Sequence, residues 1–439
     1  MLQLAIHNWA ALSAEKRLEA LRRPAQSSSA TMQAQVAAIV ADVRARGDAA
    51  LSEYTSKYDG AELSAFKVNA AEFAAAEQAL NAAQHAALQR AIGNVRRFHE
   101  AQRSAPLQIE TSPGVVCERH FIPLEAVGLY VPAGTAPLPS AAIMLAVPAS
   151  IAGCDRRALC TPPRRDGTAD PAVLVAAKAC GVTDVFKIGG AQAVAAMAYG
   201  TASVPKVDKI FGPGNAWVTA AKLLVSNDPN GAALDLPAGP SEVLVIADDG
   251  ANAEFVASDL LAQAEHSVDA QAVLVALSPA FAQKVIEELD RQLQTLSRVQ
   301  TLAEAIRNTR IFVVDSLDAA LALSNAYAPE HLILQIREPR SALSKVRHAG
   351  SVFLGQWTPE TMGDYCSGTN HVLPTYGFAR ADSGLSLTDF LKRMTVQELS
   401  AAGLRDLGPT AIQIAGLEGL DAHANAVVRR LRALDSRSS

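Results

Sequence analysis

The chain has 439 residues, enough for two to four domains. Hydrophobic residues make up 49% and charged residues 19%, so a large core can form. The net charge is −5 and no Lys/Arg cluster stands out beyond RRLRAL near the C-terminus, which excludes a nucleic-acid footprint.

Residues 1–104 read as helical, with Leu, Ile, Val and Phe at three- and four-residue spacing in the Ala-rich segments 30–56 and 70–104. The start, MLQLAIHNWAALSAEKR, has neither a basic opening nor a continuous apolar run, so no signal peptide is expected. From about residue 115 the pattern changes. Short apolar strands are expected at VVCERHFIP, AVGLYVP, RALCTP, DVFKI, VDKIFG, SEVLVIAD, AVLVALS, RIFVVD, LILQI and SVFLG. Helices are expected between most of them, at 139–152, 170–180, 191–200, 215–226, 251–264 and 279–298. This alternation implies parallel, doubly wound sheets. Ten strands are many for one sheet, so two α/β domains are expected, with a break near LDLPAGPSE, 234–242. Residues 358–383 read as a polar, Gly-rich loop, and the chain reads as helical again after about 385.

Residues 126–154 carry no charge, but Pro132, Pro137, Pro139 and Pro148 break them into pieces too short for a membrane span. The five cysteines, Cys117, Cys154, Cys160, Cys180 and Cys366, lack metal-ribbon or disulfide-framework spacing. A cytoplasmic protein with no membrane or nucleic-acid partner is the expectation.

The usual nucleotide signatures are missing. No Gly-Lys dipeptide exists, so there is no P-loop. GPGNAW, from Gly212, follows a strand and precedes a helix, but Trp217 stands where a dinucleotide fingerprint needs a small residue. GPSEV at 239–243 lacks the closing Gly of a nucleophile elbow.

Of nine histidines, His7, His85, His99, His120 and His348 sit singly among ordinary residues and read as surface or packed side chains. Four keep unusual company. Gln263 and His266 share a face at a helix end and could offer a metal an amide oxygen and an imidazole nitrogen; a helix-capping His is the plainer reading. Asp364 and His371 lie in GDYCSGTNHVLP, where both residue types suit zinc and a hydrogen-bonded turn is the rival reading. Glu330 and His331 follow Pro329. A carboxylate and an imidazole suit general base work, and both reach one site only from the turn before the strand. Glu418 and His423 lie on the expected helix LEGLDAHANAVVRR, five residues apart, which is not one helix face.

Taken together, these motifs resemble the histidinol dehydrogenase family over nearly the whole chain. The resemblance is carried by GLYVPAGTAPLPS, KIGGAQAVAAMAYGT, KIFGPGNAWVTAAK, LDLPAGPSEVLVIAD, LLAQAEHSVDAQ, YAPEHL, GDYCSGTNHVLPT and LEGLDAHANAVVRR. Trp217 departs from it, since the family often has Tyr there.

The resemblance implies oxidation of L-histidinol through the aldehyde to L-histidine, with two NAD⁺ and one water. It implies a Zn²⁺ held by Gln263, His266, Asp364 and His423, with these four also meeting substrate. Further substrate contacts fall on Ser241, His331, His371 and Glu418, and NAD⁺ contacts on Tyr130, Gln192 and Asn215. His331 is assigned as the base for hydride transfer and Glu330 as the activator of water. A homodimer is implied, each site taking the segment around Glu418 and His423 from the partner.

The domains implied are two incomplete Rossmann-like units with helical N-terminal and small C-terminal segments. They are 1–28; 29–129 with 239–384, carrying metal and base residues; 130–238, for the nucleotide; and 385–439, reaching the partner. The competing readings are a zinc hydrolase using Glu330, a paralogue oxidising another amino alcohol, and a scaffold with a degenerate site. Zn or Mn as the native metal stays open.

Overall fold

The computed structural model describes residues 4–23, 30–133, 136–236 and 239–436. In chain order the strands are β1 (Ile6–Asn8), β2 (Leu107–Ser112), β3 (Val115–Pro123), β4 (Ala126–Tyr130), β5 (Arg156–Thr161), β6 (Val185–Lys187), β7 (Lys209–Phe211) and β8 (Ala233–Leu234). There follow β9 (Glu242–Ala247), β10 (Gln271–Ala276), β11 (Arg310–Val313), β12 (His331–Gln335), β13 (Ser351–Leu354) and β14 (Leu391–Leu399). Every strand expected from the sequence is present. Residues 1–102 with 124–390 form one compact unit, and 103–123 with 391–439 form another.

The larger unit holds two parallel sheets. One has the order β6-β5-β4-β7-β8 and the other β1-β11-β10-β9-β12-β13. In each, three consecutive strands, β4 to β6 and β9 to β11, build outward in one direction, and the chain then returns to the other side of the first of them; β1 extends the edge at β11. This is the doubly wound arrangement expected.

The six-stranded sheet shows why its strands read as continuous apolar runs. Val243, Val245 and Ala247 of β9 face one core with Ala272, Leu274 and Ile311. Leu244 and Ile246 face the opposite core with Val273, Phe312 and Leu332. Side chains alternate faces along a strand, and both faces are covered, so neither phase can be polar. In the five-stranded sheet Ala158, Cys160, Phe186 and Ile210 share a core with helices Ala30–Arg46, Gly190–Tyr199 and Ala216–Ser226. Within the uncharged window stand β4 and the helix Pro139–Ala152, in which twelve residues are buried. No helix among the described residues is long and apolar enough to cross a membrane.

Several segments differ from expectation. Residues 6–8, within the stretch read as helical, pair with β11 as an edge strand. Met1–Gln3 and residues 24–28 of the expected N-terminal helical segment lie outside the described residues. In the smaller unit β14 occupies a segment read as helical and pairs antiparallel with β3, which pairs with β2. Most of β14 is exposed, so no buried face marks it as a strand. The Gly-rich loop contains a short α-helix, Glu360–Tyr365, and a 3-10 turn, Phe378–Arg380. The expected break lies between β8 of the five-stranded sheet and β9 of the six-stranded one, but both sheets belong to one compact unit, and Pro237 and Ala238 lie outside the described residues.

Candidate active site

A cavity of about 630 Å³ opens in the larger unit. On one side it is lined by Gly212, Asn215 and Thr219, and on the other by Ser241, His266, Glu330, His331, Asp364 and His371. The first group lies beyond the carboxyl end of β7, beside β4. The strand order reverses there, and doubly wound sheets take ligands at such points. The second group lies at the amino ends of β9 and β12.

The polar cluster is built at that amino edge by three short segments. Ala328, with a left-handed φ of 56°, ends the helix Leu317–Tyr327, and Pro329 then turns the chain into β12. Glu330 precedes β12 and His331 opens it, and both are buried. The peptide of Glu242 secures the pair. Its N–H donates to Glu330 Oε2 at 2.8 Å, and His331 Nδ1–H donates to its carbonyl at 3.1 Å. A carbonyl only accepts, so Nδ1 carries a proton and Nε2 is the atom offered to the site. Behind the peptide, the Glu242 carboxylate takes two hydrogen bonds from Arg23, at 2.5 and 2.7 Å, and one from Tyr327 Oη at 3.1 Å.

The second segment is the end of the helix Ala253–Ala264. It follows β9 and runs back antiparallel to it, which returns Gln263 and His266 to the amino edge. Gln263 is fully buried. His266 is exposed, and its Nδ1–H donates to the Ala262 carbonyl at 3.1 Å, again leaving Nε2 outward. Glu265 caps the helix. The third segment is the helix Glu360–Tyr365, on which Glu360 and Asp364, four residues apart, share a face. His371 Nδ1–H donates to the Asp364 carbonyl at 2.8 Å.

These segments meet around Asp364. His331 Nε2 lies 3.4 Å from Asp364 Oδ1, and His266 Nε2 lies 3.9 Å from Oδ2. One ligand atom each of His266, Glu360 and Asp364 fall within 4.8 Å of one another, a spacing that suits one metal ion. Gln263 stands beside Glu360. With its amide turned so that both neighbours are satisfied, its nitrogen lies 3.2 Å from Glu360 Oε1 and 3.2 Å from the Glu242 carbonyl. The buried His331 Nε2 and Glu360 Oε2 have no hydrogen-bond partner among the described residues. A carboxylate pair, an imidazole and an amide beside unpaired polar atoms fit a divalent cation.

Proton affinities follow from this crowding. Burial pushes Glu330 up to about 8, against the pull of His331 and the Glu242 N–H. Burial likewise pushes Glu360 up to about 8. Burial works against a charged His331, but Glu360, Glu330 and Asp364 outweigh it and hold the imidazole well above its usual value. Asp364 also loses by burial, yet His331 brings it below the usual carboxylate range. His371 is lowered, chiefly by burial.

The expected nucleotide residues divide. Asn215 lines the cavity and caps the helix Ala216–Ser226 by accepting from the Trp217 and Val218 N–H groups at 3.1 and 3.2 Å. Tyr130 and Gln192 are buried. The Tyr130 hydroxyl accepts from the Gly190 N–H at 3.0 Å, at the start of the helix carrying Gln192. Trp217 packs half-buried against the five-stranded core. Ser241 lies just before β9 and lines the cavity.

Glu418 and His423 are not on one helix. Glu418 caps the helix Ala401–Leu417, Gly419 turns left-handed at φ 69°, and His423 lies in the first turn of the helix Asp421–Ser436. Both are exposed, in the smaller unit. The residue missed in the sequence is Glu360. Its signal was the four-residue spacing to Asp364 in ETMGD, hidden because the stretch reads as loop rather than helix.

Comparison with known proteins agrees across the chain. The family model for histidinol dehydrogenase matches residues 21–431. Among curated relatives, histidinol dehydrogenase of Xanthomonas oryzae pv. oryzae is 55% identical, covering 98% of this chain and 99% of its own. That of Vibrio parahaemolyticus is 53% identical over 97% and 98%. The crystal structure of histidinol dehydrogenase from Elizabethkingia anophelis superposes with a TM-score of 0.94 at 42% identity, covering 99% of both chains. The chain therefore belongs to the histidinol dehydrogenase family.

Proposed function

We propose that this chain oxidises L-histidinol through the aldehyde to L-histidine, the last step of histidine biosynthesis, with two NAD⁺ and one water. The observation that carries the reading is the buried Glu330–His331 pair facing a cavity whose other wall is the switch point of a parallel sheet. Gln263, His266 and Asp364 are assigned to Zn²⁺, with His423 as fourth ligand; Tyr130, Gln192 and Asn215 are assigned to NAD⁺. Zn²⁺ held there would supply a fixed anchor for the substrate's imidazole and amino nitrogens and a charge that offsets the carboxylates. NAD⁺ supplies the hydride acceptor.

The chain's residues do the proton work. With a bound cation offsetting the carboxylates that raise its proton affinity, His331 is neutral at Nε2 and takes the hydroxyl proton there as hydride leaves the adjacent carbon, giving the aldehyde. Glu330 then removes a proton from water as its oxygen adds to the aldehyde carbon, while His331 returns its proton to the former carbonyl oxygen, giving the hydrated aldehyde. His331 takes a proton from that hydrate as the second hydride leaves, giving the carboxylic acid, which releases its remaining proton to solvent as the carboxylate. Each positioned transfer contributes about 10²–10⁴-fold. Ser241, His371 and Glu418 orient the substrate.

Within this reading 130–238 serves the nucleotide, 29–129 with 239–384 the substrate and metal, and 385–439 the site of a second copy. Support for a homodimer comes from the smaller unit, where Glu418 and His423 are exposed beside Leu417, which is 88% exposed. Five free cysteines are in keeping with the cytoplasm.

The test supplies L-histidinol and NAD⁺ and follows NADH and histidine. Two NADH per histidine, lost on chelation and restored by Zn²⁺, is the expected result. No NADH from a metal-loaded dimer rejects the reading. Mixing His331→Asn with His423→Ala chains tests sharing: random dimers regain about a quarter of wild-type activity if each chain lends His423 to the other. No recovery rejects the shared site.

A further inference from the structure

Gln263 poses a problem of orientation. A glutamine offers a cation its amide oxygen, whereas the amide nitrogen has no lone pair to give. The two ends are nearly the same size, and rotation by half a turn exchanges them. Burial alone does not choose between them, so something must face the amide that accepts hydrogen bonds and cannot donate them.

Glu360 meets that description. It is 1% exposed and stands on the short helix one turn before Asp364, and with the amide turned so that both of its ends are satisfied its Oε1 lies 3.2 Å from the Gln263 nitrogen. The Glu242 carbonyl lies at the same distance from that nitrogen. The two N–H groups are thus taken by two acceptors, and the amide oxygen is turned away from both. Rotating the amide would place its oxygen against a carboxylate and a carbonyl while breaking two buried hydrogen bonds. The Glu242 carbonyl is also shared with His331, which leaves Glu360 as the acceptor dedicated to Gln263.

We propose that Glu360 is a positioning residue that locks the Gln263 amide with its oxygen toward the metal. The proposal rests on the metal reading above and goes beyond its ligand set. Glu360 lies close enough to His266 and Asp364 to be mistaken for a ligand, and the two roles predict different behaviour. A ligand loses its function when its charge and basicity go. A positioning acceptor keeps part of it as Gln, whose oxygen still accepts from the Gln263 N–H that faces it. The Gln263→Glu change removes the need for orientation, because both carboxylate oxygens bind equally well.

The experiment measures Zn²⁺ affinity of the full-length dimer by competition with a chromophoric chelator, with circular dichroism reporting the fold. Glu360→Met is expected to weaken Zn²⁺ binding by about 10–100-fold, the usual cost of losing a partner that orients a ligand. Glu360→Gln is expected to weaken it less, and in a Gln263→Glu background neither change weakens it. Should Glu360→Met fail to fold, Glu360→Gln alone and in the Gln263→Glu background reads the same coupling. Unchanged affinity in Glu360→Met overturns the proposal. So does a loss in Glu360→Gln as large as in Asp364→Ala, which would make Glu360 a ligand. Wild-type protein that binds no Zn²⁺ fails differently, by overturning the metal reading itself.

Discussion

The two parallel sheets of the larger unit share one architecture and use opposite ends of it. The five-stranded sheet places Gly212 and Asn215 beyond the carboxyl end of β7, where such folds usually receive nucleotides. The six-stranded sheet places Ser241, Glu330 and His331 at the amino ends of β9 and β12. One cavity is lined by both edges, which suits hydride passing from a substrate held at one to a nucleotide held at the other. A fold that repeats does not repeat its function; the loops and helix ends at each edge decide the chemistry.

The largest expected effect breaks the amino edge alone. His331→Asn should lower kcat by about 10²–10⁴-fold in steady-state assays while NAD⁺ and Zn²⁺ affinities hold. Glu330→Gln sharpens the division of labour. It should slow oxidation of histidinal, which needs water, more than oxidation of histidinol to the aldehyde. Equal loss in both half-reactions contradicts the assignment.

The same edge can be attacked from behind. Arg23 is the cation paired with the buried Glu242 carboxylate, and the Glu242 peptide holds both proposed bases. Arg23→Met leaves that charge unpaired and should cost about 3–5 kcal/mol in denaturant unfolding. Unchanged stability would mean that Glu242 has found another partner or a proton.

The carboxyl edge is tested at Gly212. Its φ is 122°, and a Cβ there would meet the Tyr130 carbonyl oxygen. Gly212→Ala should raise KM for NAD⁺ by about tenfold, in line with strain of about 1–3 kcal/mol, and leave Zn²⁺ affinity unchanged. A matching loss of Zn²⁺ affinity would show that the two edges are not separable.

The effect read against pH concerns Asp259, which lies behind the cluster and accepts from Gln335 at 2.8 Å. Burial raises its pKa to about 7 from the usual 3.8. Between these values the folded chain keeps a proton that the unfolded chain has released, so stability falls as pH rises and levels off above about 7. Asp259→Asn should remove that slope, at most about 1.4 kcal/mol per pH unit. Unfolding curves across pH 4–8 decide it, and an unaltered slope would place the titration elsewhere.

What was legible depended on how local the cause was. The ten strands stood out because β9 to β12 bury both faces and need apolar residues in every phase. Glu330 and His331 were visible as a pair because one turn positions both. β14 was not, because its exposed residues carry no buried face. Glu360 was hidden because its role depends on Gln263, nearly a hundred residues earlier, and on a short helix inside a Gly-rich stretch.

The sequence by itself determined the alternation of strand and helix, the absence of a P-loop, and the residue types able to move protons and bind metal. Only the tertiary structure decided which edge of each sheet is used. A helix that follows a parallel strand must run back to the strand's start, and this returns Gln263 and His266 to the edge where Glu330, His331 and Asp364 stand. The same packing makes the Glu242 peptide a shared partner of Glu330, His331 and Gln263, through hydrogen bonds between residues far apart in the chain that no sequence spacing encodes.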